Sequence, residues 1–142
     1  MKKILVINGA NINMIGTREP AIYGTDTIET LNNLCISTGK KYNTVVDCFH
    51  SNIEGEIINC IQQSKGVYSH IIINAGAYSH TSIAIMDALL SVDIPVHEVH
   101  LSNIYKREEF RHYSYMSKVA ISVVCGMGIQ GYAMIIEHIL KN

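Results

Sequence analysis

Two stretches of this sequence hold side chains whose types and spacing suit proton transfer. The first is His97-Glu98-Val99-His100. On a strand, alternate side chains share a face, so Glu98 and His100 point one way and His97 and Val99 the other. That spacing argues against His97 and His100 gripping one metal ion, and no HExxH helix motif occurs. It favours a carboxylate that orients an imidazole and stabilises its protonated form, which suits His100 to donate a proton near neutral pH. A half-buried histidine satisfied by its neighbour fits the same spacing. The second stretch is GANINMIGTREPAIYGT, Gly9 to Thr25, the longest connection in the chain without a periodic pattern. Long loops in small domains are more often lids or binding loops than spacers. This one carries Arg18 and Tyr23. A cation beside a tyrosine favours the phenolate, and a phenolate shielded from water can act as a general base. A tyrosine that merely anchors the loop is the alternative.

Polar residues recur where apolar runs end: Asn8 and Asn11, Ser51 and Asn52, Asn74 and His80, then His100, Ser102 and Asn103. Any one of them can be a turn former or cap. Four such ends on one rim point to a ligand site. Backbone amides at Leu101 and Ser102, with the Ser102 hydroxyl, can cradle a carboxylate, and Arg107 or Arg111 can add charge. Glu108 and Arg111 also form an ordinary i,i+3 pair on a solvated face. Asp87 breaks the apolar pattern SIAIMDALL, and such a residue normally needs a partner. Gly126, Gly128 and Gly131 spell GxGxxG, yet no strand and no suitably spaced acidic residue follows, so they read as a tight turn with close helix packing. No Gly-Lys-Ser/Thr phosphate loop is present, and the lysines avoid the rim, which disfavours Schiff-base chemistry.

These residues must be positioned by regular elements, and five β-branched runs supply strands: ILVIN (4–8), TVVDCF (44–49), HIIIN (70–74), PVHEVHL (95–101) and AISVVC (120–125). The first, third and fifth are nearly continuous apolar runs, as expected of strands covered on both faces. Helical patterns alternate with them. Asp26 or Thr27 opens the first, with Glu29 placed for a capping box, and Ser51 with Glu54 resembles a second box. A third helix is expected over 82–91, a short turn around 107–110, and a last helix over 132–140. Five alternations predict an α/β fold: a flavodoxin-like, doubly wound, five-stranded parallel sheet with helices on both faces. Ligands bind such sheets outside the carboxyl ends of the strands, where the polar residues fall.

Composition narrows the function classes. Eleven Lys and Arg balance twelve Asp and Glu with no basic stripe, so neither nucleic acid nor an anionic membrane is an expected partner. The start of the chain lacks the apolar length of a signal peptide, and no run approaches a membrane span. Cys35, Cys48, Cys60 and Cys125 are widely spaced without CxxC, which suits reduced thiols in the cytoplasm. Only 16% of the residues are charged while 48% are hydrophobic, a balance that predicts self-association. From the residues alone, a binding module holding a flavin or nucleotide at the same rim competes with an acid/base enzyme.

In order and spacing, NGANINMIGTREPAIYG, SNIEGEI, INAGAYSHTSIAIMDALL, IPVHEVHLSNIYKREEFRHYSY and CGMGIQGY resemble the type II 3-dehydroquinate dehydratases, over most of the chain from Ile4 to Tyr132. The resemblance implies one dehydroquinase-like domain over residues 1–142, with no cofactor and no metal. It implies conversion of 3-dehydroquinate to 3-dehydroshikimate, in the shikimate route to aromatic amino acids or in quinate breakdown. Tyr23 would remove the proton α to the ketone, with Arg18 favouring its ionised form. His100 would protonate the departing hydroxyl, oriented by Glu98, and Asn11 would hold a water that stabilises the enolate. Asn74, His80, Leu101, Ser102 and Arg111 would bind the substrate's hydroxyls and carboxylate. Asp87 would reach a neighbouring subunit's site in a homo-oligomer, a dodecamer built as a tetramer of trimers.

The sequence departs from the family's usual pattern in three places. Ala10 and Ala75 stand where proline is general, and His97 stands where an apolar or small residue is more usual. None of the three has an expected catalytic role.

Overall fold

The computed structural model describes residues 2–16 and 26–141. Its centre is a five-stranded parallel sheet formed by β1 (Lys3–Asn8), β2 (Val45–His50), β3 (His70–Asn74), β4 (Val96–His100) and β5 (Ser122–Cys125), in the order β2-β1-β3-β4-β5. This is the doubly wound order expected of a flavodoxin-like chain. Among the described residues four α-helices cover it: α1 (Ile28–Lys40), α2 (Glu54–Gln63), α3 (Ile83–Val92) and α4 (Gln130–Lys141).

The first and third apolar runs have the expected cause, but the fifth does not: β5 lies at the sheet edge, with Val123 exposed and its other residues only partly buried, so it is not covered on both faces. Ile4, Val6 and Ile72 face one side, where they pack with Leu31 of α1 and Ile136 of α4. Leu5, Ile7, Ile71 and Ile73 face the other, where they pack with Ile57 of α2 and Leu89 of α3. Each fully buried side chain of this kind contributes about 1.5–3 kcal/mol, so a polar interruption in these strands must have a partner.

Three local expectations change. The first helix is capped by Thr27, whose Oγ1 accepts from the Thr30 N–H at 3.2 Å; Asp26 makes no box with Glu29 among the described contacts. Ser51 does not cap with Glu54 either: its hydroxyl accepts from the Ile53 N–H and donates to Glu56, while Ile53 occupies the cap position. The alternation is helical only four times: where a short turn is expected around 107–110, β4 connects to β5 through three single 3₁₀ turns, Ile104–Lys106, Glu109–Arg111 and Met116–Lys118, the middle one at that turn, with no α-helix between them. The segment KREEFRHYSYMSK lacks the repeating apolar face that would hold a helix on the sheet.

The glycine-rich turn before α4 behaves as expected. Gly126 and Gly128 take positive φ of 89° and 56°, the region where glycine is at ease. A Cβ on Gly131 would meet Val124 and Val99 at 3.2 and 3.3 Å, so its bare Cα lets α4 lie close against β4 and β5.

Candidate functional site

The carboxyl ends of β1, β3 and β4 open into one cleft lined by Asn11, Asn74, His80, His100, Leu101, Ser102, Arg107 and Arg111, with about 700 Å³ of empty space including its open mouth. Eight of the residues singled out by sequence therefore meet at one place. Glu98 lies directly behind them, Asp87 lies elsewhere, and Arg18 and Tyr23 lie outside the described residues.

The alternation along β4 places Glu98 and His100 together. Glu98 is fully buried, and its Oε2 stands 2.5 Å from His100 Nε2. The Ser114 hydroxyl donates to the same oxygen at 2.7 Å, and the Ser117 hydroxyl donates to Oε1 at 2.5 Å. Burial pushes this carboxyl upward, but the hydrogen bonds from His100, Ser117 and Ser114 outweigh it and hold Glu98 below the ordinary carboxylate range. The result is a buried carboxylate with both oxygens engaged, fixing the His100 ring through Nε2. The other ring nitrogen, Nδ1, has no hydrogen-bond partner among the described residues and can meet a ligand.

His80 shows the opposite electrostatics. Burial draws its imidazole below the ordinary value, and the positive charges of His100 and Arg111 act the same way, against a hydrogen bond to the Tyr113 carbonyl. That bond, 2.8 Å from Nδ1, identifies Nδ1 as the donor and leaves Nε2 as an acceptor. The rings of His80 and His100 stack at 6.3 Å. An imidazole whose Nε2 can only accept thus sits beside a histidine paired with a carboxylate, so the two stacked rings have different hydrogen-bonding capacities.

Charge for an anionic ligand comes from both arginines named as alternatives. Arg107 Nη1 reaches within 3.5 Å of Ser102 Oγ, and Arg111 Nε donates to Glu108 at 3.0 Å, so each guanidinium is held at the cleft wall. Asn11 enters the cleft from a left-handed backbone, φ 68°, with its N–H donated to Asn52 Oδ1 at 2.8 Å. Asparagine tolerates that conformation better than most residues. Asp87 is exposed on α3, away from this chain's own cleft.

Sequence reasoning missed the two serines that hold Glu98, which follow it by 16 and 19 residues. Their three-residue spacing is the only signal in the chain, and it acquires meaning only once the 3₁₀ turn at Met116–Lys118 brings both hydroxyls to one carboxylate. It also missed Tyr132 as a partner of the rim asparagines.

Among the described residues, no cluster of three or more His, Cys, Asp or Glu could hold a metal ion, and no helix is long and apolar enough to cross a membrane. The family model described as Dehydroquinase class II matches residues 2–140. A 3-dehydroquinate dehydratase of Ruegeria pomeroyi is 50% identical over 142 residues, covering 100% of this chain and 95% of that protein. A catabolic 3-dehydroquinase of Talaromyces marneffei is 48% identical over 138 residues, covering 97% and 79%. The crystal structure of the type II dehydroquinase from Butyrivibrio crossotus superposes with a TM-score of 0.95 at 46% identity, over 99% of this chain and 98% of that one. With the strand order, the polar rim and the family match over nearly its whole length in agreement, the chain belongs to the class II dehydroquinases.

Proposed function

We propose that this chain dehydrates 3-dehydroquinate to 3-dehydroshikimate by an anti elimination through an enolate. The observation that carries the proposal is the buried Glu98–His100 pair opening into a polar, arginine-flanked cleft, in a chain of this family. Tyr23, as phenolate favoured by Arg18, takes the proton α to the ketone. The electron pair left behind forms the enolate, whose charge appears only during reaction and therefore calls for donors already in place; a water held by Asn11 is one. As the enolate returns its electrons, the carbon–oxygen bond to the departing hydroxyl breaks and His100 delivers a proton to it, releasing water. An anionic Glu98 at hydrogen-bond distance offsets the positive charge that His100 carries before it gives the proton up.

Asn74, His80, the Leu101 and Ser102 amides and Arg111 bind hydroxyls and carboxylate. Arg107, on the same wall, adds charge to the carboxylate end. These groups need no resident cofactor, and the balance of atoms closes with one substrate and two products. In an oligomer of trimers grouped into a dodecamer, Asp87 completes the cleft of a neighbouring subunit.

The test is spectroscopic. Purified protein given 3-dehydroquinate should generate the ultraviolet absorbance of a conjugated enone, and sodium borohydride added with substrate should leave the rate intact, because no imine forms. Tyr23→Phe and His100→Ala should each lower kcat by about a hundredfold or more while the protein remains folded. No enone from the unmodified chain overturns the proposal, and full activity in either variant removes that residue's role.

A further inference from the structure

Asn8 and Asn74 stand in register on neighbouring strands, and both are buried on the face of the sheet that α4 covers. Between them lies Tyr132 from α4, fully buried, with its hydroxyl 2.9 Å from Asn74 Nδ2 and 2.6 Å from Asn8 Oδ1. A backbone group sets the polarity of this relay. The Gly76 N–H, which can only donate, meets Asn74 Oδ1 at 3.1 Å, so the Asn74 NH₂ must face Tyr132. The phenol therefore accepts from Asn74, and its single proton goes to Asn8. Asn8 Nδ2 is buried without a partner among the described residues, so the relay ends there. With Oδ1 and one N–H engaged, Asn74 has one N–H left, and Asn74 lines the cleft.

We propose that Tyr132, which does not line the cleft, is a positioning residue for substrate binding: through the Asn8–Tyr132–Asn74 relay it fixes the Asn74 carboxamide so that its remaining N–H is presented to an oxygen of the ligand. Without the phenol hydroxyl the amide is held at one edge only and can turn an acceptor, or nothing, toward that oxygen. The role rests on the dehydratase reading, in which Asn74 binds a substrate hydroxyl.

The test is a double-mutant cycle of Tyr132→Phe and Asn74→Ala, with KM and kcat read from enone formation and the melting temperature of every variant recorded. Tyr132→Phe alone should raise KM about tenfold, with a smaller change in kcat, and should raise it by less than about twofold in the Asn74→Ala background. A KM unchanged by Tyr132→Phe overturns the relay. So does an equal rise in both backgrounds, which would make Tyr132 a general support of the fold. Should the phenylalanine variant fail to fold, Asn8→Ala carries the same cycle from the other end of the relay, with the same expected pattern and the same contrary results. An unmodified chain that forms no enone contradicts the dehydratase reading itself; an active chain with a flat cycle contradicts the relay alone.

Discussion

Glu98 and His97 are neighbours on β4 with opposite surroundings, and together they make the fold sensitive to acid. Glu98 is held below the ordinary carboxylate range by three hydrogen bonds working against burial. The stability it contributes is present above the ordinary carboxylate value and is lost as pH falls through the lower native one. His97 is buried on the opposite face, with Nδ1 2.6 Å from Ser122 Oγ and Nε2 without a partner among the described residues. Burial, with the positive charges of His70 and His138, draws its pKa down to about 4. Between that value and roughly 6.5 the unfolded chain takes up a proton that the native chain refuses, so stability falls as pH falls through the window. His97→Leu should flatten this part of the profile: urea unfolding should show the unmodified chain losing up to about 3 kcal/mol more than the variant between pH 7 and pH 4. Parallel losses in the two proteins would assign the acid sensitivity elsewhere. The departure from the family at His97 thus bears on stability and leaves the cleft untouched.

At the scale of elements, the loops after β1 and β3 are locked to each other at the mouth of the cleft. The Gly9 N–H donates to the Asn74 carbonyl at 2.8 Å. A Cβ on Gly9 would lie 2.4 Å from the Ala75 carbonyl oxygen, and one on Gly76, at φ 63°, would lie 2.5 Å from that of Ala10. The two loops cross with no room for a side chain on either glycine, which holds Asn11 and Asn74 on one rim. The alanines at this crossing are where the family generally has proline. Ala75 has φ −75°, within proline's own range, so Ala75→Pro should remove unfolded-chain entropy without moving the backbone. We expect it, and Ala10→Pro likewise, to stabilise the fold by about 0.4–1 kcal/mol, seen as a small rise in melting temperature. An unchanged or lower midpoint would show that the native turn resists the ring. Between β4 and β5 the reverse holds: a chain segment too polar for a helix is free to turn three times, and those turns deliver Arg107, Arg111, Ser114 and Ser117 to the site.

For the whole molecule, the low charge count becomes a surface with a location. On α3, Ile83 and Leu90 are more than half exposed and flank the exposed Asp87 at i,i+4 and i,i+3 spacing, so apolar surface and a carboxylate share one helix face. An apolar stripe left in water by a single chain fits the proposed assembly, with Asp87 entering a neighbour's cleft. Ile83→Asp should lower the mass measured by light scattering and, because Asp87 then reaches no cleft, should lower turnover about as far as Asp87→Ala does. A dissociated variant with full turnover would end the role of Asp87 in a second site.

The element types, the doubly wound class, the face shared by Glu98 and His100 and the polar rim are legible in the amino-acid sequence, because each follows from local periodicity, strand alternation or turn chemistry. Element ends were legible less closely, as at Thr27 and Ser51, where several neighbouring hydroxyls and carboxylates compete for the same backbone N–H groups. Which residues complete the site emerges only in the folded chain. Ser114 and Ser117 reach Glu98, and Tyr132 bridges partners 58 and 124 positions away, through packing of α4 and the 3₁₀ turns against the sheet. Such pairings depend on where the folded chain closes its long loops, and no short window of sequence carries that information.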